Sequence, residues 1–178
     1  MSDVTVRPAG EADLAAMATV WVAGWQAGYA GVVPAAHLAA LDPQFRYQQL
    51  VAGSGAADAP ERYLADCQGQ VVGFVWLGAW RGADASAELG EIGAIYLDPA
   101  HWRQGIGRLL MSRAEQRLTE LGYAEGRLWV LADNPRARRF YEAIGWHDDG
   151  GRQTYEVGGA VLPEVRYART MAGRPADG

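Results

Sequence analysis

The sequence predicts an α/β fold of the mixed α+β type, with helices flanking a central, mostly antiparallel sheet of about seven strands. Segments of alternating apolar residues predict strands, and two pairs of these segments are separated by the short glycine-containing turns of antiparallel hairpins. Other segments carry apolar residues at a helical spacing of three to four. One strand leads directly into a glycine-rich corner and then into a helical pattern.

Each element follows from its own apolar pattern and from the glycine, proline or polar residues that end it. In chain order, the predicted strands cover residues 4–7, 62–67, 71–80, 90–97, 127–131, 153–156 and 164–170. The predicted helices cover residues 11–27, 34–41, about 45–52, 105–121 and a short segment after Asn134. Gly122 ends the fourth helix, and Gln68-Gly69-Gln70 and Val157-Gly158-Gly159 form the two hairpin turns.

The length and composition are those of one domain. With 178 residues, 49% of them apolar, the chain can bury one substantial core, which we place at residues 1–170 with a disordered tail at 171–178. No apolar run approaches the roughly 20 residues of a membrane span, and Met1-Ser2-Asp3-Val4 lacks the layout of a secretory signal. We therefore expect a soluble, cytoplasmic protein that does not bind membranes.

The charge and the cysteine content narrow the function classes. A net charge of −5 argues against nucleic acid as the main partner and is compatible with a cationic amine substrate. Cys67 is the only cysteine, so no internal disulfide can form. Its apolar surroundings favour a buried strand residue over a nucleophile.

The corner between the fourth predicted strand and the next helix has the features of a phosphate-binding site. The sequence Arg103-Gln104-Gly105-Ile106-Gly107-Arg108 opens a helix, where unpaired backbone N–H groups and the helix dipole can hold a pyrophosphate. Gly105 and Gly107 allow close approach of the backbone to a ligand. The Lys-Ser/Thr ending of a Walker A loop is missing, and Leu110 replaces the third glycine of a dinucleotide loop, so ATP, GTP and NAD are disfavoured. By itself, the glycine pair fits a tight turn equally well.

A second motif lies about thirty residues further along the chain. The segment from Asn134 to Trp146 reads N-x-x-A-x-x-F-Y-x-x-x-G-W, with Asn134 as a helix N-cap, Pro135 in the first helical position and Gly145 at the end. Together with the strand EIGAIYLDP and the corner PAHWRQGIGRLL, it resembles the GCN5-related N-acetyltransferase (GNAT) superfamily, whose acetyl-CoA site consists of these segments in this order. The resemblance covers residues 4–170, with its specific motifs between residues 91 and 146.

The resemblance implies a slot in the sheet and most of a cofactor site. The fourth and fifth strands of this superfamily splay apart, and the pantetheine arm of acetyl-CoA pairs with the exposed edge like an additional strand. The implied cofactor contacts are Ile95, Tyr96 and Leu97 in the strand, Arg103, Gln104, Gly105, Ile106, Gly107 and Arg108 at the corner, and Asn134, Ala137 and Tyr141 in the second motif. Gly93 is expected to bend or bulge the strand at the start of the slot. Trp102 departs from the Gln or Arg that usually begins the corner.

Acetyl transfer to an amine requires a base. An alkyl amine with a pKa of about 10.4 is mostly protonated at pH 7, and a carboxylate at the start of the fourth strand makes Glu91 the candidate that takes up the proton. Glu88 is a weaker candidate. In some members the base stands on the fifth strand, at the position of Trp129, which cannot serve. A Glu91 that is merely paired with an arginine is the alternative interpretation.

The departing sulfur requires an acid. In the superfamily the tyrosine of the F-Y pair faces the thioester sulfur, so the resemblance assigns Tyr141 as the general acid. A tyrosine with a pKa of about 10 stays protonated at neutral pH and can protonate a thiolate whose thiol has a pKa of about 8.5. Without the motif, Tyr141 would be interpreted as a core aromatic residue.

The acceptor side is less specific in sequence. By the resemblance, Trp25 and Tyr29 in the first helix and its following loop wall the acceptor, and their aromatic character suggests a partly apolar or aromatic amine. The alternative interpretation is that they are core residues at helical spacing. Acidic residues near the terminal hairpin, Asp148, Asp149 and Glu156, could attract a cation.

The sequence therefore predicts an N-acetyltransferase that transfers the acetyl group of acetyl-CoA directly to a primary amine of a small molecule or peptide, without a metal or a covalent enzyme intermediate. The alternatives are a non-catalytic acyl-CoA sensor or regulatory module and an N-acyltransferase that uses a longer acyl-CoA. Many members of the superfamily pair through sheet edges, which suggests a homodimer.

Overall fold

The computed structural model describes residues 4–56 and 58–171, so residues 172–178 of the predicted tail lie outside the described residues. The strands are β1 (Val4–Pro8), β2 (Glu61–Cys67), β3 (Gln70–Ala79), β4 (Leu89–Leu97), β5 (Glu125–Leu131), β6 (His147–Val157) and β7 (Ala160–Thr170). The helices are α1 (Leu14–Gly28), α2 (Ala35–Ala39), α3 (Pro43–Ser54), α4 (Ile106–Glu120) and α5 (Pro135–Ala143), with single 3-10 turns at Glu11–Asp13 and Pro99–His101.

The strands form one mixed sheet in the order β1-β2-β3-β4-β5-β7-β6. Every neighbouring pair is antiparallel except β4 and β5, which run parallel because α4 connects them across one face of the sheet. The predicted fold class, a mostly antiparallel seven-stranded sheet with flanking helices, is confirmed.

Helices cover both faces of the sheet. The apolar positions of α4 recur at helical spacing and are at most 2% exposed, namely Ile106, Leu110, Met111, Ala114 and Leu118. They pack against β3, β4 and β5 in the larger core cluster, which also includes Tyr141 of α5. On the opposite face, α1 and α3 pack on Leu64 and Phe74 through Met17, Ala18 and Leu50. The sheet thus separates these two clusters, and a third, smaller cluster contains Trp25, Val33, Leu38, Leu131 and Val157.

The ladder between β4 and β5 is short. Only three residue pairs join the two strands, Leu89 with Glu125, Gly90 with Gly126 and Glu91 with Arg127. Beyond Glu91 the strands diverge, so the edge of β4 that faces β5 has no strand partner from residue 92 to residue 97. The predicted splay of the fourth and fifth strands is confirmed.

A β-bulge lies where the divergence begins. The register with β3 shifts between Trp76 and Leu77, which face Ala94 and Ile92, so Gly93 is the extra residue of β4. A Cβ atom at position 93 would overlap the Trp76 ring. Because a bulge bends its strand and increases the local twist, Gly93 directs the end of β4 away from β5, as expected.

The terminal hairpin is longer than predicted. β6 begins at His147 and β7 at Ala160, whereas the sequence pattern predicted strands only at residues 153–156 and 164–170. Most side chains of β6 are exposed and polar, so no apolar alternation marks its first half. Cys67 ends β2 opposite Val4 and is half-buried, less than expected. Across the described residues, no helix is long and apolar enough to cross a membrane.

Candidate active site

The corner before α4 exposes a row of backbone donors. Gly105 is the N-cap of α4 and has a φ of 83°, and Arg103 also has a positive φ of 61°. The N–H groups of residues 103–107 donate to no other described residue, and the first backbone bonds of the helix are those of Arg108 and Leu109 to the Gly105 carbonyl. Five consecutive free donors at the positive end of a 15-residue helix form a site suited to a phosphate group.

The two glycines of the corner serve different purposes. Gly105 requires the left-handed conformation, and open space surrounds its Cα. Gly107 instead lies against α5, because a Cβ there would stand 3.2 Å from the Phe140 ring. Gly107 was predicted to let the backbone approach a ligand; in the structure its missing side chain also lets α4 pack against Phe140 of α5. The Gln104 side chain turns away from the corner and donates to the Ala100 carbonyl at 3.1 Å.

Arg136, which is not among the predicted site residues, lies beside this corner. Its guanidinium lies 3.6 Å from the centre of the Trp102 ring and close to the end of α1, where a Cβ on Gly28 would stand 2.9 Å from Nη2. The Trp102 indole donates to the Leu97 carbonyl at 3.2 Å. Trp102 stands where the family usually has Gln or Arg, and its ring supports the Arg136 guanidinium of α5 instead. The two residues are distant in the chain, so no local sequence pattern indicates this contact.

One cavity of about 990 Å³ extends from this corner along the gap between β4 and β5. Among the predicted site residues, it is lined by Glu91, Ile95, Tyr96, Leu97, Arg103, Gly105, Ile106, Gly107, Arg108, Asn134, Ala137 and Tyr141, and by Trp25 and Tyr29. Gln104 is the predicted residue that does not line it. The fold therefore collects residues from α1, β4, α4 and α5 around a single space large enough for a cofactor and a substrate.

Tyr141 reaches this cavity from α5. Its side chain is 8% exposed and lies among aromatic rings, with ring centres 5.4 Å from Phe140 and 6.1 Å from Tyr167. Burial raises the pKa of Tyr141 well above its ordinary value, and the nearby Tyr96 adds to the effect. The hydroxyl therefore keeps its proton throughout the physiological pH range and has that proton to donate.

Asn134 caps α5 and also faces the cavity. Its Oδ1 accepts a hydrogen bond from the Ala137 backbone at 3.1 Å, and the residue is 6% exposed. The amide Nδ2 donates to none of the described residues, so it is available to a ligand. Both roles considered for Asn134, helix cap and ligand donor, are compatible with this position.

Glu91 lines the cavity at the start of the splay but already has a partner. Arg81 donates from Nε to one carboxylate oxygen at 3.0 Å and from Nη2 to the other at 3.4 Å. The Glu91 side chain is 12% exposed, whereas that of Arg81 is 66% exposed. The arginine pairing considered for Glu91 is therefore present, and a base function would have to operate alongside it. In residues 4–56 and 58–171, His, Cys, Asp and Glu form no group of three that could hold a metal ion.

Comparison with known proteins decides the family. The profile of the Acetyltransferase (GNAT) family matches residues 19–146, which include the splayed strands, the corner before α4 and α5. The chain belongs to the GNAT acetyltransferase family. An uncharacterized N-acetyltransferase of Bacillus subtilis (strain 168), YuaI, is 30% identical over 163 residues, covering 91% of this chain and 90% of the relative.

Solved structures share the GNAT fold. The yncA protein of Salmonella typhimurium, whose structure is described with its cofactor acetyl-CoA, has a TM-score of 0.71 at 20% identity and covers 98% of each chain. The paia N-acetyltransferase of Thermoplasma acidophilum, in complex with coenzyme A, has a TM-score of 0.69 at 20% identity, covering 94% of this chain and 99% of that one. At these identities the likeness concerns the fold alone.

The GNAT cavity has an aromatic wall on the side of α1. The rings of Trp25 and Tyr29 lie 4.7 Å apart, and Tyr155 of β6 lies 6.4 Å from Trp25. Tyr96 completes this wall from β4, next to Trp21 at 6.2 Å. The predicted acceptor residues Trp25 and Tyr29 are thus brought together, and Tyr155 joins them although its sequence position did not predict it.

The acidic residues predicted to attract a cation near the terminal hairpin, Asp148, Asp149 and Glu156, do not line the cavity. Asp148 pairs with Arg152 at 2.8 Å, and Asp149 pairs with Arg166 at 2.8 Å. Glu156 is exposed and does not line the cavity. The carboxylate of this hairpin that does line the cavity is Glu164 of β7, which is not among the predicted site residues.

Proposed function

We propose that this GNAT protein is an N-acetyltransferase that transfers the acetyl group of acetyl-CoA directly to a primary amine of a small molecule or peptide. The observation that carries the proposal is the row of free N–H donors at residues 103–107, placed at one end of a cavity that follows the unpaired edge of β4. A pyrophosphate fits the first feature and the amides of a pantetheine arm fit the second.

The residues that would hold acetyl-CoA come from three elements. The N–H groups of residues 103–107 would bind the pyrophosphate, with Arg103, Arg108 and Arg136 supplying positive charge around it. Ile95 and Tyr96 would pair through their backbone with the pantetheine arm, and Asn134 would donate from Nδ2. The Leu97 carbonyl is already bonded to Trp102, so Leu97 would contribute mainly packing. When bound, acetyl-CoA supplies an activated acetyl group as a thioester.

Two residues of the chain would then transfer protons, one to the departing sulfur and one from the amine. Tyr141 would donate the hydroxyl proton to the departing sulfur, because burial keeps that hydroxyl protonated inside the cavity. Glu91 would accept the amine proton, directly or through water, from its place at the base of the splay. The neutral amine would then attack the acetyl carbonyl, with a C–N bond formed and the C–S bond broken.

Three measurements test the function. We expect calorimetry to detect acetyl-CoA and desacetyl-CoA binding at concentrations below a millimolar, and we expect free thiol to be released when the complex meets a panel of primary amines. Mass spectrometry of the panel should show an acetyl mass increase on at least one amine. Binding without thiol release would indicate a sensor, and absence of any binding heat would remove the proposed function.

Glu91→Gln is expected to lower kcat/KM about tenfold or more at pH 6.5, with a smaller loss above pH 9. Without a base, only the neutral fraction of the amine reacts, and that fraction rises about tenfold per pH unit below a pKa of about 10.4. The measurement is the pH dependence of the initial rate for wild type and variant.

Arg81→Gln is the matched control, because it breaks the same ion pair and leaves the Glu91 carboxylate in place. It should retain the wild-type pH profile. If both substitutions have the same small effect and neither changes the profile, Glu91 is only a structural partner of Arg81.

A further inference from the structure

Two carboxylates line the cavity among the described residues, and they differ in their partners. Glu91 is held by Arg81. Glu164, on the β7 side of the cavity, has no Arg, Lys or His nitrogen within 4.0 Å in the described part of the chain. Its one side-chain hydrogen bond comes from Gln153 Nε2 at 2.6 Å. Glu164 is therefore the carboxylate of the cavity that lacks a cation.

The position of Glu164 is set by the sheet. β5 separates β7 from the splay, and Glu164 stands opposite Gln153 of β6 and opposite Leu131, the last residue of β5, both of which also line the cavity. Burial raises the pKa of Glu164, and the Gln153 hydrogen bond offsets part of that effect. A partly buried carboxylate without a counter-charge is costly to keep in a folded protein. A cationic ligand bound next to Glu164 would supply the missing positive charge and offset this free-energy cost.

The groups around Glu164 suit an organic cation. Trp25, Tyr29 and Tyr155 line the same cavity, and the Glu164 charge is close enough to raise the pKa values of both tyrosines, which burial already raises. The rings lie 4.7 and 6.4 Å from one another, and aromatic rings grouped in this way can attract a cationic group and pack against an apolar stem. An aromatic wall beside one unpaired carboxylate is a common arrangement for binding ammonium groups.

We propose that Glu164 binds the positively charged group of the acceptor, so that the acceptors of this protein are amines protonated in solution and carried on an apolar or aromatic stem. The inference rests on the proposed function, because it assigns the acceptor side of the same cavity. It concerns recognition of the cation and is separate from the proton acceptance assigned to Glu91. Glu164 would contact the acceptor directly and select acceptors that carry a positive charge.

The probe is benzyltrimethylammonium, a permanent cation on an aromatic stem that cannot be acetylated. Its affinity is measured by calorimetry for wild type and Glu164→Gln, each saturated with desacetyl-CoA, with benzyl alcohol as the neutral comparison. We expect the substitution to weaken the cation about tenfold or more, since it removes a full charge from a partly desolvated site, and to leave the affinity for benzyl alcohol unchanged.

Glu156→Gln is the matched control, because it removes one carboxylate from the same hairpin at an exposed position outside the cavity. It should bind the cation like wild type, and Glu164→Asp should bind it better than Glu164→Gln. Equal affinity of wild type and Glu164→Gln for the cation overturns the inference, and so does a wild type that does not bind it at millimolar concentration. In either case, retained heat from acetyl-CoA and retained thiol release leave the proposed function standing.

Thermal unfolding provides a second readout that needs no ligand. The groups that face Glu164 are Gln153 and Tyr155 from β6 and Tyr29 from the end of α1. Because the pKa of Glu164 is raised in the folded protein, the ionised form disfavours folding, and this loss develops as the pH rises through the unfolded and then the folded pKa. Glu164→Gln should therefore raise Tm at pH 8 and leave it unchanged near pH 4. A lower Tm at pH 8 would mean that the carboxylate stabilises the fold, against the inference.

Discussion

Tyr141→Phe is expected to lower kcat by roughly 100-fold or more and to leave the affinity for acetyl-CoA within about twofold. The substitution removes a single oxygen from a ring that stays packed between Phe140 and Tyr167, so the cavity keeps its shape while the departing sulfur loses its proton donor. Steady-state kinetics gives the change in turnover, and calorimetry with acetyl-CoA gives the affinity.

The pH profile separates this function from a packing role. Because the pKa of Tyr141 is raised by burial, wild type should show no loss of activity from Tyr141 deprotonation up to about pH 10, the ordinary tyrosine value. Tyr47→Phe, at a half-buried tyrosine of α3 outside the cavity, is the control and should retain wild-type turnover. A Tyr141→Phe variant with unchanged turnover across the pH range would show that Tyr141 is an aromatic core residue only.

Gly105→Ala is expected to weaken acetyl-CoA binding about tenfold. The φ of 83° at Gly105 is a left-handed conformation that costs an alanine about 1–2 kcal/mol, and relaxing it would rotate the neighbouring N–H groups away from their common direction. Since the surroundings of the Cα are open, steric overlap with other residues does not contribute. Calorimetry with acetyl-CoA measures the effect.

Gly122→Ala is a closely matched control at the other end of α4. Gly122 has a φ of 89°, its Cα is equally open, and it lies outside the cavity. Both substitutions should lower the free energy of unfolding by about 1 kcal/mol, but only Gly105→Ala should weaken the cofactor. Equal affinities in the two variants would show that the donors of the corner do not bind acetyl-CoA.

The parts of the site that could be predicted from sequence are those encoded in continuous segments. The corner around Gly105 and the capped helix from Asn134 to Tyr141 are each specified by residues adjacent in the chain, and their family resemblance places them in one site. The splay follows from the same resemblance, and the bulge at Gly93 follows from a glycine in an otherwise apolar strand. These features depend on local backbone requirements, which the residue types reveal directly.

The parts that could not be predicted depend on contacts between distant segments. Arg136 stacks on Trp102 from another helix, and Arg81 reaches Glu91 from the end of a neighbouring strand. Glu164 and Arg166 alternate with the buried Val165 and Tyr167 on β7, so Glu164 has the pattern of a solvent-facing strand position. Only the register of β5, β6 and β7 shows that this position borders the cavity. Side-chain partners across a sheet are set by tertiary packing, which a single sequence does not display.

The three-pair ladder between β4 and β5 has a mechanical consequence. It divides the sheet into a four-stranded half and a three-stranded half that share few main-chain hydrogen bonds, so a small rotation between the halves would widen the gap without breaking either one. A ligand that spans the gap would contact both halves of the sheet and restrict that rotation. Amide hydrogen exchange along the free edge of β4 should therefore slow when acetyl-CoA is bound, even at residues far from the corner proposed to bind the pyrophosphate.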